Sequence, residues 1–294
     1  MTAQLIEGLP ISAAIRADLK RRVTNLRSKG IDPGLAFIIV GNNPASISYV
    51  RSKAQACAEV GLRSQTMNLP EETTQTELLA VIAQLNADPS WQGMIVQLPL
   101  PQSIDPNAIA IAIAPDKDAD GCHPLNFGRL LAGMPGPKPC TPAGIQQLLI
   151  RSGNDPSGKH VVIAGRSNLV GKPLAALLVQ KEAGANATVT VCHTGTKDLT
   201  SYTRTADILV AAMGVPNAIT AAMVKPGAVV IDVGTNRVPD ATRRTGYRLT
   251  GDVDFEGVKE VAAWITPVPG GVGPMTVTML LANTVAAAER AVGD

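Results

Sequence analysis

Four short apolar runs, 161–164, Thr188–Cys192, Ile208–Ala211 and 228–233, constrain the fold of this chain more than any other feature. Each is rich in Val, Ile or Ala and too short for a helix. The helical stretch 173–183 separates the first two, and the later connections are shorter. Buried strands with covering helices or turns predict a parallel sheet of the dinucleotide-binding type.

The first half also reads as α/β. Apolar residues at helical spacing, Ile11, Ile15, Leu19, Val23 and Leu26, predict a helix over 11–29 ended by Gly30. The run 35–40 (LAFIIV) predicts a buried strand, closed by the turn GNNP at 41–44. Ser46 or Ser48 is placed to cap a second helix that runs to about Val60, with Gly61 past its end. A third helix is expected over 73–85 and a second buried strand over 94–98. Residues 99–144 are rich in Pro and Gly, and the first domain boundary is placed there, near Cys140. The expected organisation is an N-terminal α/β substrate domain over 1–140 and a Rossmann-type parallel-sheet domain over 141–274, with a cleft between them. A last helix over 275–291 follows the loop TPVPGGVGP, and residues 275–294 are expected to pack back onto the first domain.

Composition narrows the function classes. The 294 residues make about two domains. Lys plus Arg number 26 and Asp plus Glu 24, a net charge of +2, too small for a polyanion-binding surface by charge alone. Three Phe, two Trp and three Tyr are too few for a nucleic-acid stacking platform. Hydrophobic residues reach 45% against 17% charged, as in a well-filled globule. No apolar run approaches the roughly 18 residues of a membrane span, and residues 1–15 show no secretory signal. Cys57, Cys122, Cys140 and Cys192 show no CxxC spacing and suit a reducing cytoplasm. The expectation is a soluble cytoplasmic protein without a nucleic-acid or membrane partner.

The segment VVIAGRSNLVGKP at 161–173 reads as a buried strand, a glycine turn and a helix start. Glycines let the backbone approach a ligand, and a helix N-terminus offers unpaired N–H groups to an anion. Ser167 stands where the second glycine of a G-x-G-x-x-G fingerprint would be, so the turn alone is a weak signal that the following strands strengthen. An NAD-binding fold commonly carries an acidic residue at the end of the next strand. Here that strand ends CHTGTK at 192–197, without a carboxylate, and Arg166, Lys197 and the threonine hydroxyls could receive a 2′-phosphate. The cofactor expected is NADP.

In SISYVRSKAQA, Tyr49 and Lys53 lie four residues apart, on one face of the second helix. The ordinary reading of such a lysine is a solvated surface group. Two features weigh against it. Gln97 interrupts the apolar run MIVQLPLP, and a polar amide in a buried strand needs a partner. Asp118 and Asp120 in KDADG could pair with a ligand amine beside Gly121, although turn chemistry alone would also explain them. Cys122-His123 and Cys192-His193 make a poor metal site, because adjacent residues of an extended chain point in opposite directions and only His160 remains as a further histidine. Nothing near Cys122 in sequence would serve as base for a cysteine nucleophile. Met213, Met223, Met275 and Met279 read as core filler.

The motifs YVRSK at 49–53, VQLPLP at 96–101, PDKDADGCHP at 115–124, GRSNLVGKP at 165–173, DVGTN at 232–236, GDV at 251–253 and TPVPGGVGPMT at 266–276 follow one another in a specific order and spacing. Over nearly the whole chain they resemble the bifunctional methylenetetrahydrofolate dehydrogenase/methenyltetrahydrofolate cyclohydrolase family. The resemblance implies that Tyr49 packs along the aminobenzoate part of folate, that Lys53 is the catalytic lysine and that Gln97 positions it. It implies that Asp120 anchors the pterin ring, with Asp118 as the accompanying loop residue. Further folate contacts are implied for Val96 and Leu98, and for Pro267, Val268, Pro269, Gly270 and Gly271 in a loop that closes over the substrate. Gly165, Arg166 and Ser167 correspond to the NADP phosphate and ribose loop, with His193, Thr194 and Thr235 as further cofactor contacts. No metal is implied, and a homodimer through the cofactor domains is. Two positions depart from the pattern: HTGT at 193–196 stands where the family often carries a basic residue, and Cys122 where bacterial relatives often have an aromatic.

The reaction so implied is oxidation of 5,10-methylenetetrahydrofolate by NADP⁺ to the 5,10-methenyl cation, followed by hydrolysis to 10-formyltetrahydrofolate. Hydride loss leaves no proton to remove, so the first step needs orientation. Ring opening by water needs proton management, a task for Lys53. The alternatives are a monofunctional NAD(P)-dependent dehydrogenase of the same fold, a dehydrogenase of small hydroxy acids and a catalytically silent dinucleotide-binding regulator. A hydroxy-acid enzyme needs a basic anchor where KDADG presents acid, and a silent sensor has no need of Tyr49, Lys53, Gln97 and Asp120 together.

Overall fold

The structure, a computed structural model, describes residues 2–243 and 246–293. The N-terminal half runs β1 (Gln4–Leu5), α1 (Gly8–Ser28), β2 (Gly34–Val40), α2 (Pro44–Val60), β3 (Arg63–Leu69), α3 (Gln75–Ala87), β4 (Gly93–Val96), α4 (Pro106–Ala112) and α5 (Pro124–Leu131). Then come α6 (Cys140–Arg151), β5 (His160–Ala164), α7 (Gly171–Leu178), β6 (Thr188–Cys192), α8 (Leu199–Thr203), β7 (Ile208–Ala211) and β8 (Val229–Asp232). The chain closes with β9 (Asn236–Pro239), β10 (Tyr247–Thr250), α9 (Phe255–Val258), β11 (Trp264–Ile265) and α10 (Gly273–Gly293).

Two compact units result, one of Ala13–Cys140 with Val277–Asp294, the other of Met1–Ser12 with Thr141–Thr276. The first twelve residues, placed in the N-terminal domain from sequence, thus belong with the later part of the chain. The reason is a strand pairing: β1 lies parallel to β11, and the Ile6 N–H donates to the Ile265 carbonyl at 2.9 Å.

In the first of these, a parallel three-stranded sheet is ordered β3-β2-β4. Every residue of the central strand β2 is buried, as its unbroken apolar run requires. Strand β3 has no counterpart in the sequence reading, because RSQTMNL is a polar edge strand with little apolar signal. Ile38, Leu78, Ile82, Met94 and Ile109 pack as one core beneath the sheet. The cap of α2 also differs from expectation. Asn43, not Ser46 or Ser48, is the N-cap, its side chain accepting from the Ala45 and Ser46 N–H groups, and Pro44 opens the helix. Strand β4 ends at Val96, so Gln97 follows the strand instead of interrupting it.

The other unit holds a parallel six-stranded sheet ordered β1-β11-β8-β7-β5-β6. Strands β5, β7 and β8 form its buried centre, with Val162, Leu209 and Val230 fully covered. After β5 the chain adds β6 on one side and then returns to add β7 on the other. That reversal opens a crevice at the C-terminal ends of the strands, where ligands bind in open parallel sheets. Helix α7 ends at Leu178, short of the expected 183, and the chain beyond it turns through Gly184 and Asn186, both with positive φ. The antiparallel pair β9–β10 was not legible from the sequence pattern. Among the described residues no helix is long and apolar enough to cross a membrane.

Candidate active site

Helix α2 turns Ser46, Val50, Lys53, Ala56, Cys57 and Val60 inward. Lys53 therefore occupies a core-facing position and is only 7% exposed, which removes the solvated-lysine reading. Its Nζ donates to Gln97 Oε1 at 3.1 Å and lies 5.2 Å from the centre of the Tyr49 ring, itself largely exposed. The Gln97 amide is fixed from both ends. Its backbone N–H extends the pairing to β2 by donating to Ile38 O at 2.8 Å, and its Nε2 donates to Leu98 O at 2.8 Å. With Nε2 so engaged, Oε1 is the atom left to face the lysine.

Asp118 and Asp120 take different parts. Asp118 is buried and organises the loop: Oδ1 accepts from Gly121 N at 3.0 Å, and Oδ2 from His123 N at 2.7 Å and Asn126 Nδ2 at 3.0 Å. Asp120 makes no side-chain hydrogen bond among the described residues. Burial pushes its carboxyl above the ordinary range, the Lys53 ammonium opposes that and the Asp118 charge adds to it. Supports that sequence reading missed hold this loop. Lys117 Nζ donates to the carbonyls of Leu85, Asn86 and Asp88 at the end of α3, at 2.7–2.8 Å. Asn283 Nδ2 on α10 donates to Ala119 O at 2.9 Å and Lys138 O at 2.8 Å. Only the position of Lys117 inside KDADG hinted at the first; nothing in the sequence marked the second.

At the crevice of the six-stranded sheet a cavity of about 400 Å³ is lined by Gly165, Arg166, Ser167, His193, Thr194 and Met213, among others. Gly165 has φ +139°, and a Cβ there would fall 2.1 Å from the Ala212 carbonyl oxygen, so only glycine lets β5 turn this closely past the end of β7. The N-cap of α7, Val170, supplies no side-chain acceptor to the helix N-terminus. The His193 and Thr196 side chains shape the turn after β6, accepting from Gly195 N at 3.0 Å and His193 N at 2.9 Å, and Thr194 is left exposed. No carboxylate lines the cavity, whereas a guanidinium and hydroxyls do. That donor set fits a phosphorylated dinucleotide. Thr235 belongs to a second cavity, of about 420 Å³, which it shares with Pro267, Val268, Pro269, Gly270 and Gly271.

The cysteines are free. Burial pushes the Cys57 thiol up to about 12 and the Cys140 thiol well above its usual value, so neither is a ready nucleophile. Among the described residues no three His, Cys, Asp or Glu side chains converge to hold a metal ion.

Comparison with known proteins gives the family. Residues 6–120 match the model of the tetrahydrofolate dehydrogenase/cyclohydrolase catalytic domain, and residues 139–292 that of the tetrahydrofolate dehydrogenase/cyclohydrolase NAD(P)-binding domain. The chain is 57% identical to the bifunctional protein FolD of Dehalococcoides mccartyi, covering 100% of this chain and 99% of that one. A crystal structure of FolD methylenetetrahydrofolate dehydrogenase/cyclohydrolase from Campylobacter jejuni superposes with a TM-score of 0.92 at 49% identity, covering 98% of this chain and 99% of that one. The Trypanosoma brucei FolD structure, complexed with NADP cofactor and inhibitor, gives 0.91 at 42% identity over 100% of both chains. With family models spanning both units and full-length relatives above half identity, the chain belongs to the tetrahydrofolate dehydrogenase/cyclohydrolase family.

Proposed function

We propose that this protein oxidises 5,10-methylenetetrahydrofolate with NADP⁺ and hydrolyses the resulting 5,10-methenyltetrahydrofolate to 10-formyltetrahydrofolate. The observation that carries the reading is the core-facing Lys53, held 3.1 Å from Gln97 beside Tyr49 and the unbonded Asp120 carboxyl. NADP⁺, when bound by Gly165, Arg166, Ser167, His193, Thr194 and Thr235, supplies the hydride acceptor. Asp120 accepts from the amino and ring N–H groups of the pterin, Tyr49 packs along the aminobenzoate, and Val96, Leu98 and residues 267–271 complete the substrate contacts. Orientation suffices for hydride loss. In ring opening a water adds to the methenyl carbon and gives up both its protons as the C–N bond breaks and the formyl C=O forms, one proton going to the departing ring nitrogen and one to solvent. Lys53 Nζ handles that exchange, and Gln97 Oε1 keeps it pointed at the carbon.

A dehydrogenase without the hydrolase step would have no use for a titratable amine buried in this way, which favours the bifunctional reading over the monofunctional alternative. Arg166 in the turn and the absence of a carboxylate after β6 support NADP over NAD. We also place the protein in the cytoplasm, where its four free cysteines suit a reducing environment, and expect a homodimer formed through the cofactor units. The test is a purified-protein assay in two halves. NADPH must form from methylenetetrahydrofolate and NADP⁺, and methenyl absorbance must decay faster than in buffer when methenyltetrahydrofolate is added alone. Absence of the first activity would overturn the assignment, and absence of the second would leave the monofunctional enzyme.

A further inference from the structure

The motifs DVGTN at 232–236 and GDV at 251–253 have so far received no role beyond Thr235. Their carboxylates are both buried, Asp232 at 3% exposure and Asp252 at 0%. Asp232 Oδ1 accepts from Gly234 N and Asp252 N, each at 2.9 Å, and Oδ2 from Val253 N at 3.0 Å. Asp252 Oδ2 accepts from Met213 N at 2.5 Å and Gly214 N at 2.8 Å, while Oδ1 accepts from Asn236 Nδ2 at 2.8 Å. The glycines of the two motifs are reciprocal. A Cβ on Gly234 would fall 2.3 Å from Asp252 Oδ1, and one on Gly251 would fall 1.7 Å from Asp232 Oδ2. Each motif supplies the carboxylate that the other motif's glycine makes room for.

Met213 lines the cavity that begins at Gly165, and Gly234 lines the one shared by Thr235 and residues 267–271. We propose that Asp232 and Asp252 are positioning residues that lock these two loops in a common register, so that the nicotinamide end of the cofactor and the loop 267–271 are presented together. The inference rests on the function proposed above. It assigns the pair to hydride transfer, because the proton chemistry of ring opening is built on Lys53 and Gln97 in the other unit.

The geometry makes an unusual forecast for two isosteric substitutions. At Asp232 both oxygens accept only backbone N–H groups, so Asp232→Asn must aim an NH₂ at a backbone donor that cannot turn away. At Asp252 the Oδ1 partner is the Asn236 amide, which can flip and accept. Asp252→Asn is therefore tolerated where Asp232→Asn is not. A buried donor left facing a donor lowers dehydrogenase kcat/KM by about 10- to 100-fold in Asp232→Asn. The dissociation constant for NADPH, read by fluorescence titration without folate, weakens in parallel, and cyclohydrolase turnover of methenyltetrahydrofolate stays within about twofold. Asp252→Asn keeps both activities and the NADPH affinity within about threefold of the unmutated protein.

Asn236→Asp, at a half-buried position, provides the second variant should Asp232→Asn not fold. Facing two carboxylates together, it loses dehydrogenase activity and NADPH affinity, and adding Asp252→Asn restores both. Equal losses of both activities in Asp232→Asn and no restoration in the double variant would make the pair a general stability element and overturn the proposal. So would equal damage from the two Asn substitutions at 232 and 252. An unmutated protein without dehydrogenase activity would refute the proposed function instead, a result separable from these.

Discussion

Replacing Lys53 by Met should separate the two activities. The substitution keeps the apolar stem and most of the volume of a side chain that is 7% exposed, and it deletes the amine that donates to Gln97. What folding loses is one charge-assisted hydrogen bond and a cation–π contact with an exposed tyrosine, about 2–4 kcal/mol together, while Asp120, without the ammonium that opposes its raised carboxyl, can stay neutral. The variant therefore folds. A positioned acid–base group contributes about 10²–10⁴-fold to a step that needs it, or roughly 3–5 kcal/mol of barrier. That loss should fall on ring opening, since hydride transfer leaves no proton to remove. In a reaction started with methylenetetrahydrofolate and NADP⁺, methenyl absorbance should accumulate as NADPH forms, against a control for uncatalysed hydrolysis in buffer. Equal loss of both activities would reduce Lys53 to a binding group. Retention of both would mean that its inward position and its contact with Gln97 have no catalytic use.

Removing the guanidinium with Arg166→Ala should cost one charge-assisted phosphate contact, roughly 1.5–3 kcal/mol, and narrow the preference for NADP⁺ over NAD⁺ in kcat/KM by about tenfold or more. An unmutated protein with no preference would show that the missing base in HTGT outweighs Arg166. Light scattering at micromolar concentration should give twice the chain mass, and a single-chain mass would refute the dimer. Burial pushes the Asp232 carboxyl up to about 6, with the Asp252 charge adding to it and backbone N–H groups opposing it. The folded chain thus holds a proton that the unfolded chain has already lost between about pH 4 and 6, so this group's contribution to stability is full below about pH 4 and lost as pH rises through about 6. On the order of 3 kcal/mol is involved. Denaturant titrations should show the unmutated protein losing stability relative to Asp232→Asn between pH 4.5 and 7, and a constant difference would contradict the assignment.

Legibility from sequence followed burial. Strands β2, β5, β7 and β8 are covered on both faces, which leaves continuous apolar strings with near-correct limits. Edge strand β3 and the β9–β10 pair are half-exposed and gave no such string. The observed cap of α2 lies three or five residues before the expected Ser46 or Ser48, because serines inside the helix look like caps, while Asn43 before Pro44 carries the better signal. For the site, the four-residue spacing put Tyr49 and Lys53 on one face but did not say which way that face looked. The spacing of Val50, Lys53, Cys57 and Val60 contained that answer, since a lysine in an apolar stripe is turned inward. Asn283 was out of reach, because the loops it joins to α10 lie more than a hundred residues away in sequence.

Residue type fails altogether at the carboxylates, and counting acceptors succeeds. Asp118, Asp120, Asp232 and Asp252 all lie within three residues of a glycine and look alike in sequence. Asp118, Asp232 and Asp252 have both oxygens engaged, mostly by backbone N–H groups. Each of these three already accepts three hydrogen bonds, so at most about one acceptor site remains on any of them for a ligand amine. Asp120 has no such commitment among the described residues. Its burial is answered by the charge of Lys53 and not by hydrogen bonds, so its full capacity to accept remains for a bound molecule. Two aspartates separated by one alanine are thus assigned opposite tasks by the backbone around them: Asp118 is consumed in building the loop, and Asp120 is what the loop presents.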